Sequence, residues 1–556
     1  MSGSSPGAHL PVHPKRIPYW HLLTDHGAIT QDILDYEYTG SGTEADPYAV
    51  AWIPNDSRNP QLFSSARKIS ITLTVAFASL IVSLASSAYS GSIHEIIADF
   101  KISTPVATLG LSLYVLGFAI GPLCWAPVGE VYGRQVSFFI SLLFMAAFLA
   151  GCAGARNIWT LCILRFFAGS FGSAPLTNGG GTISDIFSAR QRGLGLSLYA
   201  AAPFLGPSLG PIIGGFLGMK AGWRWVEGFL AATAGFVWLV STLLTPETYA
   251  PVLLRKRAER LSRITGKVYR SKIELEKGPV TTAELLRKTL SRPWVLLFKE
   301  PIVLLSAVYV ALVYGTLYMF FAAFPIVFEQ VRGWNPGVGG LSFLGIMVGM
   351  IIGIICTIPA NLHYTKVQSQ RGGYAPPETR LIMCMPGALA IPISQFWFAW
   401  TNYTSIHWIV CIIGTAPFGM GVILIYMGCM NYLIDSYTIY AASVLAANAV
   451  LRSIFGAVLP IVSTWMYDAV GIHWAPSIPA FISLLFLPFP FFFYKYGAAV
   501  RAKCKYAAES DQYMKKLAEN SIEEKKKRAS TAEPEASPSH EIPTMEMERV
   551  ATVQSI

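Results

Sequence analysis

Charge is scarce in this chain. Only 13% of its 556 residues are Asp, Glu, Lys or Arg, against about 25% in a soluble globular domain. That shortfall excludes an ordinary soluble enzyme. Apolar residues make up 53%, which excludes disorder along the whole length. Cysteine is sparse and unpatterned. Cys124, Cys152, Cys162, Cys356, Cys384, Cys411 and Cys429 lie in or beside apolar stretches, and Cys504 lies in a polar tail. No pair has metal-ligand spacing and no disulfide framework emerges, so they read as small packing residues. No basic segment followed by a short apolar core opens the chain, so no cleaved signal peptide is expected. No nucleophile, metal set or acid pair stands in a cleft-like setting, so no catalytic residue and no cofactor is expected.

What the chain has is long apolar runs. A helix needs about 20 apolar residues to cross a bilayer. Twelve runs qualify: 69–91, 104–126, 136–154, 157–182, 194–218, 223–244, 301–328, 341–362, 381–400, 405–430, 440–466 and 474–494. They are continuously apolar, whereas a lipid-spanning sheet must alternate and close into a barrel. The expected fold class is therefore all-α integral membrane, with twelve transmembrane helices in two six-helix bundles. The organisation follows: a polar N-terminal tail 1–66, a first bundle 67–244, a central loop 245–300, a second bundle 301–495 and a charged tail 496–556. Two halves of six spans suggest a duplicated, transporter-like architecture, although sequence identity between the halves is weak.

Lysine and arginine set the orientation. With the N-terminus inside, the inner loops hold Arg134, Arg190, Arg192, Lys366, Arg371 and Arg380, and thirteen more lie between Arg255 and Lys299. The outer loops hold only Lys101, Arg156, Lys220 and Arg332, with Arg224 at the start of span six. Both termini are expected in the cytosol. The net charge of +10 is this bias plus tails such as Lys525-Lys526-Lys527-Arg528, so no nucleic-acid partner is needed. That run reads as a solvated stretch or a contact with anionic membrane lipid. The stretch from Leu253 to Leu261 has a basic amphipathic pattern, which fits either a helix on the inner membrane surface or a cytosolic linker helix.

Three motifs carry mechanism. Between spans two and three stands Ala126-Pro127-Val128-Gly129-Glu130-Val131-Tyr132-Gly133-Arg134-Gln135. Gly133 permits a tight turn, and Glu130 and Arg134 are placed to pair across helix ends in one conformation and part in another. The loop resembles the signature loop of the major facilitator superfamily, in a fungal form with Glu130 where Asp is usual and Gln135 where Lys is usual. Span four carries Arg165 inside Leu164-Arg165-Phe166-Phe167-Ala168-Gly169. Arginine in lipid is costly and marks function by default, or else it caps carbonyls or reaches the outer interface. The pattern resembles the family's Arg-x-x-x-Gly motif, which implies a part in proton coupling. Span five reads Gly206-Pro207-Ser208-Leu209-Gly210-Pro211-Ile212-Ile213-Gly214-Gly215. Small residues four apart let helices pack closely, and prolines allow bending. This resembles the superfamily's antiporter motif.

Trp223-Arg224-Trp225, Pro246-Glu247-Thr248-Tyr249, Pro377-Glu378-Thr379, Tyr432-Leu433-Ile434-Asp435 and Arg452-Ser453-Ile454-Phe455-Gly456-Ala457 resemble one fungal group, the twelve-span drug:H+ antiporters. The resemblance implies efflux of a small molecule, a drug or fungal secondary metabolite, driven by protons at the plasma or vacuolar membrane. Arg165 would serve coupling, and Glu130, Gly133, Arg134 and Asp185 would gate the inner side. The alternatives are a polyamine exporter and an importer of a nutrient or organic acid. A polycation needs acids in the cavity, and no Asp or Glu falls near a span centre. Arg165 and Arg452 lie deep instead, which favours a neutral or anionic hydrophobic substrate. Tyr309, Tyr314 and Tyr318 on span seven offer apolar and stacking surface and, with Arg452, are the expected cavity residues. Glu227 falls near the outer end of span six, so the titrating group is open. Asn402-Tyr403-Thr404 is a glycosylation sequon in a short outer loop, expected unmodified. A monomer is expected.

Overall fold

The computed structural model describes residues 12–13, 17–187, 192–278, 282–370, 375–514 and 516. The helices that form the body are α1 (Ser65–Ala88), α2 (Thr104–Val131), α3 (Arg134–Ala153) and α4 (Ile158–Gly172 continued by Ala174–Ile186). Then come α5 (Arg192–Ala221) and α6 (Trp223–Leu244). The second half holds α7 (Pro301–Phe324, extended by a π-turn over Pro325–Val331), α8 (Leu344–Gln370) and α9 (Cys384–Thr401). Next is α10 (Trp408–Gly414 continued by Ala416–Ser436). A helical run Ala441–Phe486 turns at Gly471 (φ 78°, ψ 173°), which separates α11 (441–470) from α12 (472–486 with Pro488–Lys503).

Ten stretches among the described residues are each long and apolar enough to cross a membrane. Two local breaks turn ten into twelve. Ser173 divides α4 into pieces of 15 and 13 residues, each too short alone but together about 42 Å at 1.5 Å per residue. The last stretch, Thr438–Lys503, is two spans joined at Gly471. Caps start the helices where polar residues meet apolar runs. Ser64 Oγ accepts from the Arg67 amide at 3.4 Å, and Asn157 Oδ1 from the Thr160 amide at 2.8 Å. Outward faces carry Trp159, Ile163, Phe236, Ile355, Ile358 and Leu485, all exposed. On a water-facing surface such a belt would aggregate; in a bilayer it is the lipid contact.

The N-terminal region departs from the expected polar tail. Residues 17–63 fold against the helix Ala250–Thr265 at the end of the molecule where α2 meets α3, here called the basal end. Strand Tyr48–Val50 pairs in parallel with Tyr269–Ser271. Ile29, Ile33 and Val50 form a small core with Leu254, Ala258 and Leu261. The helix also departs from one of its two readings. Part of its basic face turns onto protein rather than onto lipid: Arg257 makes two bonds to the buried Asp56 carboxylate at 2.5 and 3.1 Å, and Arg260 pairs with Asp25. Arg255 Nη2 donates to the Val131 carbonyl at 2.7 Å, which satisfies an orphan acceptor at the end of α2. Arg190, Arg371 and Lys525 to Arg528 lie outside the described residues.

Asp56→Ala leaves Arg257 buried and unpaired, and loss of one partner from a buried pair costs about 3–5 kcal/mol. The melting temperature of the purified protein is expected to fall clearly in Asp56→Ala and to recover in Asp56→Leu/Arg257→Met. Equal melting of Asp56→Ala and the unsubstituted chain would show that the pair contributes nothing.

Candidate functional site

Four polar centres lie on or beside the path between the two halves. The first is in the third of the first bundle farthest from the basal end. Arg165 on α4 is fully buried, and its Nη1 reaches Glu227 Oε1 of α6 at 2.5 Å. Its Nε donates to the Gly110 carbonyl of α2 at 2.8 Å and its Nη2 to the Ala85 carbonyl of α1 at 2.9 Å. The Tyr89 and Tyr114 rings lie 4.4 and 5.0 Å from the guanidinium carbon. One side chain thus ties α1, α2, α4 and α6 together. Glu227 is equally buried, and its second oxygen has no hydrogen-bond partner. Sequence reasoning left Glu227 near the outer end of α6 and paired it with nothing. Depth was the usable signal: Arg165 is seven residues from the start of α4, Glu227 four from that of α6.

The second centre is the seam along α5. Gly206, Gly210 and Gly214 face α1 so closely that a methyl group at any of them would overlap Leu80 to Ala88, at Gly214 the Ala88 backbone itself. On its other side α5 meets the second half: Gly215 abuts the Pro336 carbonyl, and Gly340 abuts that of Pro211. Pro207 stands between these contacts inside the same helix. Further along, Ser208 Oγ lies 3.6 Å from Met350 Sδ, and His94 Nε2 lies 3.3 Å from Glu329 Oε2. A space of only about 10 Å³ remains between Ser90, Pro211, Pro336 and Phe343. The halves are therefore shut at the end opposite the basal one.

The third centre is a basal latch. Gly133 has φ 105°, which favours glycine, and turns the chain into α3. Arg134 Nη1 donates to Asn178 Oδ1 at 3.0 Å, and its Nε lies 3.5 Å from Asp185 Oδ2, both on α4. Asn178 Nδ2 donates to the Trp125 carbonyl of α2 and to Ser137 of α3, both at 2.9 Å. Glu130, expected to pair with Arg134, contributes to the field at that guanidinium, and the Tyr249 ring lies 4.7 Å from its carbon. Glu247, seen in the sequence only as part of a recurring stretch, is the residue that reasoning missed. Its carboxylate accepts the backbone amides of Arg134 and Gln135 at 3.0 and 3.1 Å, and of Thr248 and Tyr249 at 2.9 and 2.8 Å. A carboxylate at a helix N-terminus satisfies orphan donors and meets the positive end of the dipole.

The second half repeats the latch. Arg380, before α9, binds Asp435 at the end of α10 at 2.8 Å, and Tyr364 of α8 donates to the same carboxylate at 2.9 Å. Arg134 before α3's body and Asp185 at the end of α4 hold the matching positions. The repeat that identity did not reveal is thus present in the placement of charge.

The fourth centre is at mid-membrane. Arg452 is eleven residues into α11, about 16 Å from its basal end. The Tyr314 and Tyr426 rings lie 4.8 and 5.2 Å from its guanidinium carbon. Tyr314 donates to Tyr318 at 3.2 Å, and Tyr318 bonds Ser86 of α1 at 2.8 Å, which links the halves. Phe204 of α5 meets Tyr426 with ring centres 4.7 Å apart. Tyr309 does not join this group. It stacks on Phe486 at 5.6 Å and packs on Phe489, inside the second bundle. Asn402 is buried, and its Nδ2 donates to the Ile472 carbonyl at 2.7 Å.

Twelve spans in two halves with matching latches, a tight α5 seam and a polar centre at mid-membrane define a polytopic transporter. Residues 75–459 match the Major Facilitator Superfamily, and the chain belongs to that family. It is 61% identical over 506 residues to the Major facilitator superfamily multidrug transporter mdrA of Aspergillus fumigatus, covering 91% of this chain and 83% of that one. It is 50% identical over 509 residues to the Efflux pump FUB11 of Gibberella moniliformis, covering 92% and 86%. It is 51% identical over 484 residues to the Major facilitator-type transporter sorT of Penicillium rubens, covering 86% and 92%. These are relatives of the fungal efflux branch that the motifs resemble. The proton:xylose symporter XylE superposes with a TM-score of 0.55 at 15% identity, over 78% of this chain and 96% of that one; this likeness shows the fold alone.

Glu247→Ala removes an acceptor from four amides, and charge-assisted bonds are worth about 1.5–3 kcal/mol each before compensation by water. The expected loss is about 2–3 kcal/mol of stability, read as a lower melting temperature than in Glu259→Ala, whose side chain is exposed. Equal melting of the two would remove Glu247 from the latch.

Proposed function

We propose that this transporter exports a neutral or anionic hydrophobic small molecule, a drug or fungal secondary metabolite, in exchange for protons. The observation that carries the reading is the α5 seam, where α1 and the second half both close on one glycine- and proline-rich helix. A helix so packed is the hinge line for rocking one bundle against the other, and the relatives named as efflux pumps support the outward direction. In this reading the basal end faces the cytosol of a plasma-membrane protein, in line with the lysine and arginine bias. Glu130, Gly133, Arg134 and Asp185 gate that end with Glu247. The transporter works as a monomer, needs no cofactor beyond the proton gradient, contacts membrane lipids and binds no nucleic acid.

Arg165 cannot titrate, so it serves coupling through Glu227. A proton entering from the outside neutralises Glu227 and dissolves the pair. Arg165 then keeps its two carbonyl ligands and loses its hold on α6, which frees α6 to shift against α4. Release of the proton to the cytosol restores the pair. A polycation finds no unpaired carboxylate at the central cluster, which disfavours polyamines.

Glu227→Gln keeps the shape of the pair without its charge. In inside-out vesicles with an acidic lumen, a neutral hydrophobic dye is expected to accumulate with the unsubstituted chain. Gradient-driven uptake is expected to drop at least about tenfold in Glu227→Gln and in Arg165→Ala, while downhill exchange persists in Glu227→Gln. Unchanged gradient-driven uptake in Glu227→Gln would assign the proton to another group. Depletion of dye from preloaded vesicles would reverse the direction.

A further inference from the structure

Other deep arginines in this molecule have acidic partners: Arg134 has Asp185, Arg165 has Glu227, Arg380 has Asp435 and Arg501 has Glu378. Arg58, buried in the N-terminal region, is held by the Glu247 and Leu22 carbonyls instead; within the helical bundles Arg452 is the exception. Among the described residues no carboxylate stands in ion-pair range of it, and its Nε is buried without an acceptor. One turn nearer the basal end on the same helix, Asn448 is 1% exposed, and neither its Nδ2 nor its Oδ1 has a partner. Residues four apart share a helix face, so two orphaned polar groups stand side by side at mid-membrane. Arg452 itself is only half-buried, whereas Asn448 beside it is sealed.

The surrounding groups define what is missing. Ser86 Oγ donates to the Ser83 carbonyl at 2.6 Å, so at 2.8 Å Tyr318 must donate to Ser86, and Tyr314 donates to Tyr318 at 3.2 Å. Both tyrosine protons are therefore committed towards α1. Tyr314 and Tyr426 give Arg452 ring faces, which soften a cation without neutralising it. The guanidinium, which also bonds the Tyr426 hydroxyl, and the Asn448 amide are the donors with capacity left. A planar guanidinium with an adjacent amide donor matches a carboxylate, and the rings of Tyr314, Tyr426 and Phe204 match a flat apolar body.

We propose that Arg452 and Asn448 form the acid-group subsite of the transported molecule, which is a singly charged carboxylate on a flat apolar body. Arg452 binds the carboxylate oxygens, Asn448 Nδ2 donates to one of them, and the rings of Tyr314, Tyr426 and Phe204 wall the apolar part. The assignment narrows the export reading above and rests on it only for the direction of transport.

The probes are 1-naphthoate and its uncharged isostere 1-naphthamide, measured by equilibrium binding to the purified full chain in lipid nanodiscs. Naphthoate is expected to bind at least about tenfold tighter than the amide. Arg452→Gln is expected to bring the two to parity, Arg452→Lys to keep part of the preference, and Asn448→Leu to reduce it a few-fold. Should Arg452→Gln fail to fold, the ratio of the two affinities in Arg452→Lys and Asn448→Leu carries the test. Equal binding of acid and amide to the unsubstituted chain, binding of neither, or a preference that survives these substitutions overturns the proposal. The vesicle assay separates this from the export reading. Gradient-driven uptake without acid preference sinks the subsite and leaves export standing. Acid preference without gradient-driven uptake sinks export and leaves the subsite.

Discussion

A charge inside a bilayer must find its counter-charge within the protein, because water cannot supply one. The Arg165–Glu227 pair is where this constraint grips the first bundle. The guanidinium draws on α1 and α2 through carbonyls and on α6 through a carboxylate. Four helices are thereby held at one depth by a single side chain. Lipid offers little force to press helices together, since its tails are as apolar as the helix faces. Polar ties and close backbone approach must do that instead. The glycine line on α5 supplies the approach and the buried arginine supplies the tie.

The same economy appears at the basal end. Glu247 gathers four amides around the turn at Gly133, and Arg134 reaches across to α4. The folded N-terminal region then rests on this turn from below: Gln135 Nε2 donates to the Leu23 carbonyl at 3.0 Å, and Arg58 donates to the Glu247 carbonyl at 3.3 Å. Segments distant in the chain thus converge on the loop that joins α2 to α3. The second half answers with Arg380, Asp435 and Tyr364, so both bundles end in the same kind of ion pair at the same end. A structure shut at the end opposite its paired latches is one arrangement of a hinged pair of rigid bodies. The buried ion pairs lie within each bundle, whereas the bundles meet through a few polar bonds, glycine-to-backbone approach and the packing of α11 on α2, contacts that can slide or part.

Some of this was open to a reading of the residues. Twelve apolar runs foretold twelve spans, and even the two spans that the helix pattern merges or breaks, at Gly471 and Ser173, are complete runs in the sequence. Gly206 to Gly215 foretold a packing face, and Gly133 a turn. The isolation of Arg165 in apolar surroundings marked a charge that needs partners, without naming them. Span-by-span reading placed Glu227 close to a helix end, and a residue near an end reads as solvated. It could not show that α6 turns that carboxylate inward onto α4. Tyr309, Tyr314 and Tyr318 stood as one stacking surface; rotation about α7 sends Tyr309 into Phe486 and leaves the other two beside Arg452.

Hydrophobicity along the chain is a local quantity, and it determined what is local here: where helices cross, how many there are, where they start, and that the chain divides into halves. Partnership between charges is not local. It depends on the rotation and depth of helices that meet from far apart in sequence, so only the tertiary structure decided that Arg165 meets Glu227, that Asp56 folds back onto Arg257, that Glu247 caps α3, and that Arg452 stands without a carboxylate. A run of apolar residues has the same meaning in any register, whereas an ion pair exists only where two registers coincide.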